Sequence, residues 1–243
     1  MGNLYISTLK SSTTTDPLKK LVIAIDGPAA SGKSTTARLV AERLGYIYID
    51  TGAMYRAMTL KVLEKQIDPR DNDRIAALAD HTEIRIQVKG SQMRITLDGK
   101  DVTNAIRSPS VTNAVSAVSA LPCVRDVMVR EQRRMGDSGG IVVEGRDIGT
   151  VVFPRADVKI FMVAEVGRRA QRRRKDLQQQ GINVDIGQLE KEILVRDQKD
   201  SQRNISPLKK AVDAFVLDTT ELTIEEQVNK ILEKVEEVLR RYE

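Results

Sequence analysis

The chain has 243 residues, 41% of them hydrophobic, with no apolar run of membrane-spanning length, so one sizeable soluble core is expected. Its net charge is +5, yet only 3% of residues are aromatic and none is tryptophan, which disfavours stacking platforms for single-stranded nucleic acid. One cysteine, Cys123, excludes an internal disulfide or a cysteine zinc cluster, and one histidine, His81, leaves no histidine metal site or triad.

Residues 1–19 are Ser/Thr-rich, lack an apolar signal core, and read as a loose extension before a single domain over residues 20–243. The organising stretch follows. Residues 21–25 are apolar and β-branched, as a buried parallel strand requires. They lead into Gly27, Pro28, Ala29, Ala30, Ser31, Gly32, Lys33, Ser34 and Thr35, which match the phosphate-loop pattern G-x-x-x-x-G-K-[ST]. In a chain of this length that pattern arises by chance about one time in a hundred. The glycines let backbone N–H groups turn inward toward a phosphate, and the helix that begins near Lys33 adds its positive end. Lys33 would reach the β- and γ-phosphates, and the Ser34 hydroxyl could ligate Mg²⁺. That helix runs to about Leu44 and stops at Gly45.

A second strand is expected over 46–49, ending in Asp50-Thr51-Gly52, with a helix after it that carries Tyr55 and Arg56 early on. A loop over 69–73 and a short helix over 74–80 come next. Strict alternation over 83–89 and 93–97, with turns at Gly90-Ser91 and Asp98-Gly99, predicts an antiparallel hairpin inserted into the α/β chain. Helical spacing returns over 110–135, broken at Pro122. Three more core strands are expected over 141–143, 158–163 and 214–217, ending in Gly145-Arg146-Asp147, a basic helix, and Asp218-Thr219 respectively. The basic helix spans 167–180 and another spans 185–199. The last helix opens with a capping box, Thr223-x-x-Glu226, and carries one apolar stripe. Five apolar strands alternating with helices predict an α/β fold: a mostly parallel five-stranded sheet with helices on both faces.

In such sheets the ligand sits at the carboxyl ends of the strands. The charged strand-end turn Arg146-Asp147 is therefore a site candidate, whereas Asp218-Thr219 is as readily a plain turn. On the basic helix, Arg169, Arg172 and Arg173 share a face and could neutralise charge on a transferring phosphoryl group. On the next helix, Arg196, Lys199, Asp200 and Arg203 lie at i, i+3, i+4 and i+7, again on one face. Clustered arginines of this kind fit an enzyme that clamps several phosphates better than a nucleic-acid-binding surface.

These residues resemble the bacterial cytidylate kinases, within the nucleoside monophosphate kinases. The matching stretches are Ile25-Asp26-Gly27-Pro28, Gly32-Lys33-Ser34, 50–56, Ile106-Arg107, Ser116, Val124-Arg125, 144–154, Arg196-Asp197, Asp200, Arg203 and Asp218-Thr219, in order from about residue 21 to the last helix. Residues 145–154 are far more specific than a phosphate loop. The resemblance implies transfer of the ATP γ-phosphate to CMP or dCMP. It implies that residues 27–35 cradle ATP, and that Thr51, Arg56, Arg146, Arg196, Asp200 and Arg203 contact the acceptor's phosphate and sugar. Ser116, Arg125 and Asp147 would read cytosine. It also implies an acceptor-binding insert over about residues 80–125 and a lid over about 165–190. Apart from Asp26, which belongs to the matched stretch, no separate apolar strand ending in a lone metal-binding aspartate stands out, so Mg²⁺ is expected mainly on Ser34, phosphate oxygens and water. A kinase for UMP or dTMP is the nearest alternative. A GTPase-like switch would need Asn-Lys-x-Asp, which is absent from the sequence. A cytoplasmic monomer without nucleic-acid or membrane partners is expected.

Overall fold

The computed structural model describes residues 20–89, 92–179 and 181–242. The extension 1–19, the Gly90-Ser91 turn and Gln180 at the end of the basic helix lie outside the described residues.

Strand β1 (Val22–Asp26) leads through the phosphate loop into helix α1 (Lys33–Leu44). Strand β2 (Ile47–Asp50) runs without a loop into α2 (Thr51–Glu64), because the Asp50 carboxylate accepts from Ala53 N at 3.0 Å and caps the helix. Helix α3 (Asn72–Asp80) begins two residues before the expected Arg74, since Asp71 caps it through Arg74 N at 3.1 Å. The antiparallel insert contains β3 (Ile84–Lys89), β4 (Gln92–Leu97) and a two-residue third strand, β5 (Lys100–Asp101), which alternation could not signal. A 3₁₀ turn (Ala105–Arg107) leads to α4 (Pro109–Val118) and α5 (Pro122–Gly136), separated at Pro122 as expected. Strand β6 (Ile141–Gly145), strand β7 (Val158–Val163), helices α6 (Val166–Gln178) and α7 (Ile186–Ser201), strand β8 (Phe215–Asp218) and helix α8 (Ile224–Leu239) complete the fold.

The five long strands form one sheet in the order β2-β6-β1-β7-β8, with every pair parallel. β1 sits at the centre. Ile23 pairs with Val142 on one side and Val158 on the other, and Ile23, Ala24 and Ile25 are completely buried. One sheet face packs on α1 and α8 through Ala37, Val40, Val228 and Ile231. The other packs on α2, α5 and the small sheet through Met54, Met58, Ile95 and Met128. Both faces are covered over the central strands β1 and β6, which explains why they read as apolar runs rather than alternating ones, whereas edge strand β8 leaves Phe215 and Val216 exposed. The Thr223–Glu226 capping box forms as expected, with Glu226 Oε2 accepting from Thr223 N at 2.8 Å. No described helix is long and apolar enough to cross a membrane.

One element had no counterpart in the periodicity. Ile148–Val152 forms a single π-helical turn. The buried Asp26 carboxylate nucleates it, accepting from Ile148 N at 2.8 Å and Gly149 N at 2.7 Å. Arg133 closes its far end on the Val151 and Val152 carbonyls. Burial pushes the Asp26 carboxyl up to about 6, although both N–H donors oppose the shift. Asp26 therefore shapes the turn that follows β6 and is committed there.

Candidate active site

The phosphate loop leaves the carboxyl end of the central strand. A Cβ at Gly27 would lie 2.2 Å from the Met162 carbonyl oxygen, so only glycine fits there. Gly32 adopts the left-handed conformation at φ 97° and hands the chain to α1. Lys33 is buried, its Nζ donating to Pro28 O at 2.6 Å and Ser31 Oγ at 3.2 Å. Burial lowers the Lys33 pKa, and the neighbouring Arg146 lowers it further, against Glu144 and Asp26. Such an ammonium is short of negative charge, and an anion beside it would supply that charge.

Arg169 and Arg172 do not face the cleft with Arg173. Arg169 donates to Ala164 O and Ala29 O and pairs with Asp197, whose other oxygen accepts from Ala29 N at 3.1 Å. Arg172 donates to Ser31 O at 3.2 Å and to Thr219, whose own hydroxyl is 2.9 Å from Ser31 O. Both arginines thus hold the outer side of the phosphate loop by its carbonyls. Asp218 only closes its own turn on Thr220, whereas Thr219 is fully buried against the loop.

Beside the loop opens a cleft of about 520 Å³. Ala29, Ala30, Lys33 and Ser34 border its loop end. Thr51, Arg56, Ser116, Arg125, Arg146 and Asp147 border it from the other elements, joined by Arg173, Arg196, Asp200 and Arg203. Gly27, Pro28, Ser31, Gly32 and Thr35 supply the loop behind, without lining the cleft.

Charge is concentrated at the middle of the cleft. Asp200, 2% exposed, accepts from Arg146 Nε at 2.8 Å and Arg203 Nη2 at 2.5 Å. Those arginines hold its carboxyl below the usual range, although burial acts the other way. Arg56 donates to Thr112 Oγ1 at 3.0 Å. Burial pushes Arg196 down to about 9, helped by Arg146 and Arg56, and its Nε has no hydrogen-bond partner among the described residues. Seven guanidiniums (Arg56, Arg107, Arg125, Arg146, Arg173, Arg196 and Arg203) therefore border one cavity, with Asp200 paired to two of them, Arg146 and Arg203. The arrangement fits a multiply charged anion. Asp200→Asn should cost roughly 3 kcal/mol, because buried cations lose their partner. Calorimetry in phosphate-free buffer should show the lower Tm, and added phosphate should restore part of it. An unchanged Tm would contradict the assignment of Asp200 as the hub.

On the same cleft, Arg125 and Asp147 form a buried ion pair. Arg125 also lies over the Tyr55 ring, 5.5 Å from its centroid. Burial pushes the Asp147 carboxyl up, and Arg125 is the largest opposing influence. Ser116 borders the same cleft from α4. Thr51 is buried and donates to Glu144 O at 2.7 Å, so its hydroxyl keeps acceptor capacity. Glu144 in turn accepts from Tyr48 at 2.5 Å.

Tyr55, Arg107, Glu144 and Asp197 all lie inside the matched stretches but carry no role in the sequence reading. Tyr55 and Glu144 look like core positions. Arg107 has no spacing signal of its own. Asp197 is adjacent to Arg196 on α7, and only the fold shows that it faces the phosphate loop while its neighbour faces the cleft.

The metal donors are sparse. Ser34 is exposed in the first turn of α1, and no group of three or more His, Cys, Asp or Glu side chains could hold a metal ion among the described residues. One hard oxygen donor at a phosphate loop fits Mg²⁺, an ion that keeps several waters and takes phosphate oxygens.

A phosphate loop at the carboxyl end of a central parallel strand, bordering an arginine-lined cleft, is the arrangement of a P-loop phosphotransferase. The cytidylate kinase family model matches residues 23–237. A cytidylate kinase of Limosilactobacillus reuteri is 50% identical over 225 residues, covering 91% of this chain and 99% of that one. The cytidylate kinase of Bacillus subtilis is 48% identical over 223 residues, covering 91% and 99%. The chain belongs to the cytidylate kinase family. Among solved structures, an uncharacterized protein from Eubacterium ventriosum aligns over 90% of this chain and 99% of its own, with a TM-score of 0.50 and 11% identity, a likeness of fold alone.

Proposed function

We propose that this chain transfers the γ-phosphate of ATP to CMP or dCMP, giving CDP or dCDP and ADP. The observation that carries this reading is the buried Arg125–Asp147 pair lining the same arginine-rich cleft as the phosphate loop. Cytosine offers an exocyclic amino donor and two acceptors, N3 and O2. The Asp147 carboxylate would take the amino hydrogen, while Arg125 and Ser116 would serve the acceptors. Uracil carries a carbonyl where cytosine carries the amino group, so Asp147 would repel it.

Residues 27–35 would cradle the triphosphate with their backbone N–H groups. Lys33 would leave Pro28 O for the β- and γ-phosphates and regain the charge that burial disfavours. Thr51, Arg56, Arg146 and Arg196 would hold the acceptor phosphate, and Asp200 and Arg203 its sugar. A terminal oxygen of the acceptor phosphate attacks the γ-phosphorus in line, and the β–γ bridging oxygen leaves with ADP. The nucleophile is already an oxyanion, so no general base is needed. Arg173 is placed to neutralise the transferring group, while Arg169 and Arg172 preorganise the loop through its carbonyls. Mg²⁺ on Ser34 would neutralise phosphate charge.

Arg107, Ser116 and Arg125 bring the insert over about residues 80–125 to the acceptor. The helices over about 165–190 would close as a lid and exclude water that would otherwise hydrolyse ATP. The chain is taken to act as a monomer, and the single thiol at Cys123 suits a reducing cytoplasm. The arginines assigned to the acceptor line a cleft, which favours small anions over nucleic-acid or membrane partners.

A panel of nucleoside monophosphates in a coupled ADP-release assay tests the reading. Fastest turnover with CMP or dCMP is the expected result. A preference for UMP or dTMP would move the chain to another acceptor.

A further inference from the structure

An acid outside the cleft holds the phosphate loop. Asp197, on α7, accepts from Ala29 N at 3.1 Å through one carboxylate oxygen and pairs with Arg169 of α6 through the other. The same Arg169 guanidinium donates to Ala29 O at 3.1 Å. One ion pair therefore takes both backbone polar groups of Ala29. Asp197 does not border the cleft, whereas Ala29 and Ala30 do. No described peptide bond is cis, so the N–H of each unit points opposite to its C=O. In the unit joining Pro28 to Ala29, the carbonyl accepts from the buried Lys33 Nζ at 2.6 Å and the N–H goes to Asp197. In the next unit the carbonyl is turned to Arg169, so Ala30 N–H points away from Arg169. In the unit joining Ser31 to Gly32, the carbonyl accepts from Arg172 at 3.2 Å and from the Thr219 hydroxyl at 2.9 Å, so Gly32 N–H points away from both. The donors thus reverse direction between Ala29 and Ala30. Ala30 absorbs the reversal with a left-handed φ of 58°, which non-glycine residues adopt rarely. Ala30 also packs against Ala170, Leu189 and Ile193, the small core where α6 meets α7. An unfavourable angle of this kind persists where its surroundings over-determine it.

We propose that Asp197 is a positioning residue for the phosphate donor: with Arg169 it clamps the Ala29 backbone so that the N–H groups of Ala30 and Gly32 stay turned toward the triphosphate. This rests on the reading that the loop binds ATP. Asp197 directly follows Arg196, so α7 serves the acceptor through Arg196, Asp200 and Arg203 and the donor through Asp197. Without the clamp, the Ala30 backbone relaxes toward the right-handed region that alanine prefers. ATP must then restore the loop as it binds, and its affinity falls by the fraction of molecules whose loop is still competent. Once bound, ATP holds the loop itself, so the phosphoryl transfer step changes little.

Two variants of the full chain test the clamp. Asp197→Ala removes both contacts of the carboxylate. Asp197→Asn has nearly the same shape and keeps an acceptor oxygen for Ala29 N–H, but sets an amide N–H₂ against Arg169. Titration calorimetry with ATP and Mg²⁺, in the absence of acceptor, reads the donor site alone. Asp197→Ala should raise the Kd for ATP by about tenfold, the scale of a lost hydrogen bond to a charged group, and Asp197→Asn by a smaller factor. The Kd for CMP, titrated without ATP, should stay within about twofold in both. Turnover at saturating ATP should stay within about threefold, so that the loss falls on KM for ATP rather than on kcat. If both variants keep the wild-type affinity for ATP while Asp197→Ala lowers Tm, the pair only ties α6 to α7 and the proposal is overturned. Tighter ATP binding by Asp197→Ala would also overturn it, because the carboxylate would then compete with phosphate for Ala29 N–H. So would equal losses of ATP and CMP affinity. If the unaltered protein binds no ATP, the donor reading itself fails, and the role assigned to Asp197 fails with it.

Discussion

Replacing Lys33 with methionine is expected to lower turnover by roughly 10²–10³, the scale seen when one preorganised charge at a developing oxyanion is removed. The nucleotide-free protein should meanwhile be no less stable. Lys33 is buried beside Arg146, and its pKa is lowered chiefly by that burial. At neutral pH and below, the unfolded chain keeps this ammonium protonated in water, while the folded chain must hold it charged in a poorly solvated site. The group therefore costs stability there. The cost declines as pH rises and the folded chain releases the proton before the unfolded one does. Methionine fills much of the same volume without the charge, so Tm should be unchanged or higher, most clearly at neutral pH and below. The measurements are kcat in an ADP-release assay and a calorimetric Tm. A variant with undiminished turnover would remove Lys33 from the donor site.

That opposition between stability and activity also explains what could be read from the sequence. The phosphate loop was legible because its constraints are local: two glycines, one lysine and one hydroxyl at fixed spacing, between an apolar run and a helical pattern. The central strands β1 and β6 were legible because both sheet faces are covered there, leaving uninterrupted apolar runs, and the edge strand β8 because its residues are apolar even where exposed. The arginines of α6 were legible only in part. Helical spacing puts Arg169, Arg172 and Arg173 on one side, but the fold sends two of them to loop carbonyls and the third to the cleft. Residue type cannot separate these roles, because a guanidinium binds a carbonyl and a phosphate oxygen through the same donors.

The turn at Ile148–Val152 was hidden for another reason. Its backbone is set by a carboxylate 122 residues earlier in the chain, and its sequence, Ile-Gly-Thr-Val-Val, carries no π-helical signal. In general, positions fixed by one local pattern were visible, and positions fixed by a buried long-range partner were not.

Asp147 gives the second large effect, and its two informative variants should part company. Asp147→Ala strands the Arg125 guanidinium, which is 3% exposed and has no other carboxylate partner among the contacts described for it. Removing one member of a buried pair costs about 3–5 kcal/mol, so Tm should fall markedly. Asp147→Asn keeps an acceptor oxygen for Arg125 in the same shape and should lose less. Both variants should nevertheless lose base discrimination, by a factor of about 10² or more in the CMP-to-UMP ratio of kcat/KM. The alanine variant no longer accepts from the cytosine amino group, and the asparagine amide can turn its N–H₂ toward the uracil carbonyl. Stability would then rank alanine below asparagine below wild type, while specificity falls in both variants. Stability that tracked specificity across the three proteins, or an equal loss of CMP and UMP turnover in both variants, would make the Arg125–Asp147 pair a structural clamp rather than a reader of the base.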